Sequence, residues 1–295
     1  MKPLPWQKAI VEDSTLVSVA QGWARQPTHA QIMKGGTTNR CWKITTECLQ
    51  HFVWRPISIS TDTFSVCRTN EYDVLVSLAN AKFAPKIERN LPQGLLVEWF
   101  EGTPLTEVNL SESEHQRYLI SALVQIHNFS SSCPSTTFDT VLRFDYHQTI
   151  EDYWRRLNPE HKTDELKSQY QSLNAISDSL RTLTESLGSD CLCHFDIGKY
   201  NLIKSKTGLK IIDWEYSAIA SPVLDLTFCI ANSQIDSKAS VSLYCYQREL
   251  NSVKDWQTAV TLWMPHICFM IKLWYLLGYQ LTNDIFYLAQ SKVHL

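Results

Sequence analysis

The chain has 295 residues, 44% of them hydrophobic and 19% charged, with a formal net charge of -3. That is long for one hydrophobic core and predicts two lobes in an ordinary globular protein. No Lys/Arg run exceeds a pair, which excludes the electrostatic footprint of a nucleic-acid or anionic-membrane binder and leaves small-molecule chemistry.

The N-terminal stretch MKPLPWQKAIVEDS lacks the apolar run of a signal peptide, so a cytoplasmic setting is expected. Residues 31–57 alternate β-favouring side chains around Gly35-Gly36 and again around a polar turn near Glu47, as in a hairpin with a glycine-rich first turn. From Thr69, residues Tyr72, Leu75, Val76 and Leu78 fall at helical spacing, and Pro85 lies just beyond. The apolar strand in GLLVEWFEGTPL runs into Gly102 and Pro104, a narrow connection read as the boundary. The expected domains are 1–98, a hinge at 99–104, and 105–295.

In the second part, Ser111 and Glu114 fit a capping box ahead of an apolar stripe from Leu119 to His127. His127 on that stripe reads as a satisfied core histidine. Residues 128–137 read as a polar loop, and 150–187 as two surface helices parted near Asn158-Pro159. The late stretch LWMPHICFMIKLWYLLGYQL is interrupted by Pro265, His266 and Lys272, so it reads as a buried helix rather than a span. The nine cysteines are odd in number and scattered, and Cys191 and Cys193 are too close for C-x-x-C spacing. All nine are expected as reduced thiols.

Chemistry concentrates in CLCHFDIGKYNLIKSKTGLKIIDWEYS, residues 191–217. Leu202-Ile203, the turn Lys206-Thr207-Gly208 and Leu209-Ile211-Ile212 form a hairpin, so Asp196 and Asn201 at its entrance can face Asp213 and Glu215 at its exit. Converging carboxylates repel unless a pKa rises or a cation binds, and an oxygen-only set suits Mg²⁺. The order H-x-D-x-x-x-x-N, then an apolar strand and Asp, is that of a kinase catalytic loop and its metal ligand. Here it reads His194, Asp196, Asn201 and Asp213. Trp214-Glu215 replaces Phe-Gly after Asp213 and no A-P-E segment follows, which argues against protein substrates.

These motifs resemble the choline kinase and aminoglycoside phosphotransferase superfamily of small-molecule kinases, with the thiamine kinases as the most similar branch. The resemblance also rests on GGTTN at 35–39, FVWRP at 52–56, Glu71, APKI at 84–87, LLVEWFEG at 95–102, LVQIH at 123–127 and LDL at 224–226. Softer echoes of the thiamine kinases are YWRRLNPEHKT and LWMPHICFMIKLWY.

It implies an α+β, bilobal protein-kinase-like fold with a small β-rich N-lobe and a larger, mainly helical C-lobe. It further implies an ATP-dependent phosphotransferase acting on the hydroxyl of a small cationic metabolite, thiamine first and choline or ethanolamine next. Carried over, Asp196 is the catalytic base with His194 bracing its loop, and Asn201 and Asp213 are the magnesium ligands. Gly35, Gly36, Thr37 and Asn39 cover the phosphates. Arg55, standing where protein kinases have Lys, holds phosphate and pairs with Glu71. The backbone of Glu98, Trp99 and Phe100 meets the adenine edge, and Asp225 holds the catalytic loop backbone. Three readings stay open for Glu215: a third acid at magnesium, a contact to the acceptor's cation, or a solvent-facing residue. The acceptor pocket is assigned to Glu215, Tyr216, Trp263 and Trp274, where an aromatic wall suits one delocalised cation. Nucleic-acid and membrane partners are not expected, and the protein is read as a monomer or homodimer.

Overall fold

The computed structural model describes residues 2–33, 41–57 and 63–293. The chain divides into two compact units, 1–105 with 202–215, and 106–201 with 216–295. The hairpin that the sequence reading keeps within 105–295 thus belongs to the first unit. Its reason is backbone pairing, because the short strand that follows the first sheet bonds to the hairpin rather than to the helical unit.

The first unit opens with β1 (Leu4–Pro5), α1 (Trp6–Glu12) and α2 (Val17–Ala20), which the sequence reading leaves without elements. Then come β2 (Pro27–Ile32), β3 (Trp42–Thr46), β4 (His51–Pro56), α3 (Arg68–Ser77), β5 (Ile87–Leu91), β6 (Gly94–Glu98) and β7 (Thr103–Pro104). The sheet order is β1-β2-β3-β4-β6-β5, with every pairing antiparallel. Strand β3 alternates buried Trp42, Ile44 and Thr46 with half-buried neighbours, the period-2 pattern of a sheet with one face on a core. Trp6, Leu16, Val19, Trp23, Trp42 and Trp54 gather in that core, which takes up four of the ten tryptophans. Strands β9 (Leu202–Ser205) and β10 (Gly208–Ile211) form the expected hairpin, and β7 adds a third strand beside β9.

The second unit is mainly helical. Helix α4 (Glu112–Ser132) starts at Ser111 with both halves of the capping box made, and buries Leu119, Leu123, Ile126 and His127. It extends through much of the stretch read as a loop at 128–137, because Ser130 and Ser131 bond to backbone or strand instead of ending the helix. Helices α5 (Tyr146–Arg156), α6 (Asp164–Leu173) and α7 (Asp178–Ser186) follow. They number three where two were expected, since Thr163 and Ser177 each cap a separate start. Strands β8 (Cys191–Cys193) and β11 (Ala218–Ala220) pair antiparallel. Helices α8 (Pro222–Ser233), α9 (Ser237–Gln247), α10 (Val253–Thr282) and α11 (Ile285–Gln290) complete the unit.

Helix α10 runs unbroken for 30 residues with Pro265 inside it. Pro265 removes one backbone bond without ending the helix, a loss that lateral packing offsets. By length and composition the helix is long and apolar enough to cross a membrane, yet half of that apolar window is buried inside the unit. Ala259, Val260, Ile267 and Leu273 are fully enclosed, as in the core helix the sequence predicts.

Gly94 begins β6 opposite Pro56, at φ +153°. A Cβ there would lie 2.2 Å from the Arg55 carbonyl oxygen and 2.8 Å from Pro56 Cα. Both are strand backbone, so the clash is relieved only by parting β4 from β6. Gly94→Ala should lower stability by about 1–3 kcal/mol, read as a lower urea midpoint at unchanged slope. An unchanged midpoint would mean the strands yield freely.

Candidate active site

In the first unit, three carboxylates and two guanidiniums meet. Arg55 from β4 places Nε 2.6 Å from Glu71, and one terminal nitrogen 2.5 Å from Asp213 and 3.0 Å from Glu215. Arg68, one turn before Glu71 on α3, donates to Glu71 and lies 3.0 Å from Glu215. The Arg55–Glu71 pair anticipated from sequence is therefore present, joined by an Arg68 that sequence reasoning missed. Its signal was the i, i+3 spacing of Arg68 and Glu71 on one helix.

Glu215 is 2% exposed and lies between both arginines. This corrects its assignment to the acceptor pocket, and also the solvent-facing reading. Burial, then the neighbouring Asp213 charge, pushes its carboxyl up to about 6, with Arg55 and Arg68 opposing. Arg55 feels burial acting to lower its pKa, but Asp213 and Glu71 carry it well above the ordinary value, so it stays charged. Asp213 retains 27% exposure and sits at φ +68°, a left-handed backbone that Asp tolerates better than most residues.

The hairpin register sets Leu202 opposite Ile211. The chain therefore enters one residue after Asn201 and leaves two residues before Asp213. At the end of β6, the Glu98 amide donates to the Lys86 carbonyl at 2.8 Å. The Trp99 ring takes Lys43 Nζ at 3.9 Å from its centroid and His51 at its edge. Phe100 is buried under Lys210. These side chains are engaged within the unit. Gly35, Gly36, Thr37 and Asn39 lie outside the described residues.

In the second unit, the loop after β8 carries His194, Asp196 and Asn201. Asp225, on the first turn of α8, is fully buried and accepts from the backbone N–H groups of His194 at 2.8 Å and Phe195 at 2.8 Å. Its Oδ2 also lies 3.0 Å from His127 Nε2. Phe195 sits at φ +59°, costly for an aromatic residue. The Asp225 bonds and a stack on Phe144 at 4.6 Å hold it there. His194 is wholly buried, which suits bracing rather than proton exchange with solvent.

Asp196 accepts from Tyr200 Oη at 2.7 Å through one oxygen, and from Asn201 Nδ2 at 2.8 Å through the other. Asn232 Nδ2 donates to Tyr200 Oη at 2.6 Å. The carboxylate is thus fixed in position by two donors and stays half-buried. Tyr200 and Asn232 were missed in the sequence, where neither belongs to the motif and Asn232 lies a whole helix away. The Asn201 amide nitrogen also reaches the Asp196 carbonyl at 2.9 Å, which directs its oxygen as the acceptor that a hard cation would use.

Trp263 and Trp274 do not share a pocket. They lie on one face of α10 but eleven residues apart, about 16 Å along the axis. Trp263 is 3% exposed and donates to Thr184 Oγ1 at 2.8 Å. It is a core residue of the α7 contact, correcting its assignment to the acceptor. Trp274 is half-buried, donates to Tyr216 Oη at 2.9 Å, and packs edge-on to Tyr275. The Asp196 charge is felt at the Tyr275 phenol, which burial raises first and Asp196 raises further. An aromatic group from Tyr216, Trp274 and Tyr275 therefore lies on the Asp196 side of this unit.

A sheet-bearing N-terminal unit, a larger helical unit and an H-x-D-x-x-x-x-N loop before a hairpin define the class of small-molecule kinases. Residues 30–261 match the family model for choline/ethanolamine kinase, and the chain belongs to that family. Among curated relatives, it is 21% identical over 162 residues to a Protein LicA homolog of Mycoplasma capricolum subsp. capricolum, covering 55% of this chain and 60% of that protein. It is 23% identical over 135 residues to the thiamine kinase of Escherichia coli, 46% of this chain and 47% of the relative. The chain thus spans roughly half the length of these relatives. The fold is that of LicA, solved in complex with AMP, at a TM-score of 0.71 and 18% identity over 96% of this chain and 95% of that one.

Asp225→Asn would set an amide N–H₂ among three donors, so loss of about 3–5 kcal/mol is expected, as for a broken buried charge pair. Burial acts to raise the Asp225 carboxyl, but His127 and the backbone donors hold it below the ordinary carboxylate value. The contribution is therefore complete above the unfolded value near pH 3.8 and lost as pH falls through the lower folded one. Urea unfolding at pH 7 and in acid checks both. The variant's deficit should shrink in acid, and a deficit constant with pH would remove Asp225 as its source.

Proposed function

We propose that this protein transfers the γ-phosphoryl group of ATP to the hydroxyl of a small cationic alcohol, with thiamine the first candidate acceptor. The single observation that carries the reading is the Asp196 carboxylate, oriented by Tyr200 and Asn201 within the family's signature loop. An alcohol oxygen brought to that carboxylate shares its proton with an Asp196 oxygen as its bond to the γ-phosphorus forms and the γ-phosphorus bond to the bridging oxygen of ADP breaks; ADP leaves and Asp196 passes the proton to solvent. Tyr200 and Asn201 stop the carboxylate from rotating off that line.

Two residues offer donors that suit a hard cation, Asp213 a carboxylate in the first unit and Asn201 an amide oxygen in the second. Mg²⁺ held by such a donor would neutralise charge on the β- and γ-phosphates. Arg55 presents a fixed charged fork for phosphate, held by Glu71 so that little orientation is lost on binding. The main chain of Glu98 to Phe100 is the proposed adenine edge, and Gly35, Gly36, Thr37 and Asn39 the proposed phosphate cover. A cytoplasmic setting belongs to the same proposal, because ATP and reduced thiols are found together there.

The acceptor assignment rests on Tyr216, Trp274 and Tyr275. A flat aromatic cation gains stacking and cation–π attraction from such a group, about 0.5–2 kcal/mol per ring. Choline is the second reading, favoured by the family description, since a quaternary ammonium also suits an aromatic cage.

Asp196→Asn should lower kcat by about 10²–10⁴ with MgATP affinity nearly unchanged, measured by coupled ADP release and by calorimetry. Wild-type turnover would remove Asp196 from the mechanism. Purified protein with MgATP, offered thiamine, choline, ethanolamine and kanamycin in separate assays, should form thiamine monophosphate with the highest kcat/KM. Trp274→Ala should raise KM for thiamine about tenfold, matching about 1.4 kcal/mol of lost ring contact. Phosphorylation of choline alone would replace the acceptor and keep the reaction class, whereas no transfer and no ATP binding would sink both.

A further inference from the structure

We propose that Cys191, Cys193 and His127 form a binding site for a thiophilic divalent cation of the Zn²⁺ or Cd²⁺ class, buried behind the 194–201 loop. Their ligand atoms all lie within 4.8 Å of one another and all three residues are buried. Sequence spacing alone misses the group because its third member comes from α4. Alternation along β8 turns both thiols to one face, and His127 meets them from the helix. Ligand atoms of a tetrahedral zinc site lie about 3.5 Å apart, so the group has about 1 Å to close.

Two further features favour a metal over a merely crowded core. His127 is already oriented as metal-bound imidazoles are: Nε2 bonds to the Asp225 carboxylate at 3.0 Å, leaving Nδ1 as the ligating atom. Among the described residues Nδ1 meets the Tyr244 hydroxyl at 2.7 Å, and that hydroxyl keeps a second partner, Arg248, at 2.7 Å when it lets go. The charge also balances. Two thiolates and a neutral imidazole cancel a divalent ion, whereas a monovalent soft metal would leave an uncompensated buried charge.

Binding forms two metal–sulfur bonds and one metal–nitrogen bond, and releases two thiol protons to solvent with no change of oxidation state. Cys193 would leave the Ala220 carbonyl, 3.4 Å away.

The test titrates reduced, metal-free full-length protein with Cd²⁺ and follows thiolate-to-cadmium charge-transfer absorption. Cys48 and Cys67 are exposed and are first replaced by Ser to clear the background. That parent should bind one Cd²⁺ per chain, and adding Cys191→Ser and Cys193→Ser should abolish the band. Tyr244→Phe should tighten binding about fivefold by removing the competitor at Nδ1. Should the fourfold variant fail to fold, ¹¹³Cd NMR of the parent distinguishes two-sulfur, one-nitrogen ligation from other sets. A parent without a stoichiometric band, a band that survives loss of both cysteines, or a cadmium shift outside that ligand class would overturn the site. None of these readouts uses phosphoryl transfer, so the result stands apart from the kinase reading.

Discussion

The helical unit is organised by one buried carboxylate. Asp225 accepts from two consecutive loop amides and from His127, and each bond does a different job. The amide bonds hold Phe195 at a positive φ that an aromatic residue would otherwise leave, and that bend turns the chain from β8 so that Asp196 faces outward while His194 stays inside. The imidazole bond ties the same carboxylate to α4, and through Tyr244 to α9. A buried charge is costly unless every lone pair is used. Here the cost is offset by three bonds to one carboxylate and by the rigidity they confer on the loop.

The first unit solves a related problem with the opposite sign. Glu71, Asp213 and Glu215 oppose Arg55 and Arg68, three negative charges against two positive. The excess negative charge falls at Asp213, the most exposed of the acids, while Glu71 and Glu215 are consumed in holding the arginines. The uncompensated charge is thus most accessible at Asp213, while Glu215 fixes Arg55 and Arg68. The same five charges explain why Lys would be a poor exchange for Arg55, since one ammonium cannot reach three carboxylates in fixed directions.

What was legible in the sequence was what is local. The motif 194–201, the turn at 206–208 and the capping box at 111–114 each lie within a few residues of chain, and each is present. Asp225 was legible only as a loop support, because its partners lie some thirty residues upstream. Tyr200, Asn232 and Arg68 carry no motif of their own and emerge only when the fold brings them to Asp196 and Glu71. Glu215 and Trp263 misled for one reason: both residue types suit a cationic ligand, and nothing in the sequence says whether a carboxylate or an indole is already spoken for inside the fold. Thr184, on another helix, takes Trp263, and two arginines take Glu215. The loop read at 128–137 erred in the same direction, since serines lower helix propensity locally while packing along α4 outweighs it.

Helix α10 shows how this packing divides one element between stability and chemistry. Its first half, around Trp256, Ala259 and Trp263, is enclosed by α7 and α9. Further along, Trp274 and Tyr275 are left half-buried, and the bond from Trp274 to Tyr216 ties that end to the chain just after Glu215. A rigid helix anchored over its first turns presents those aromatics in a fixed attitude, so an aromatic cation meeting them forfeits little side-chain entropy. Acceptor preference is therefore expected to follow the size and tilt of these rings, not the number of acids nearby.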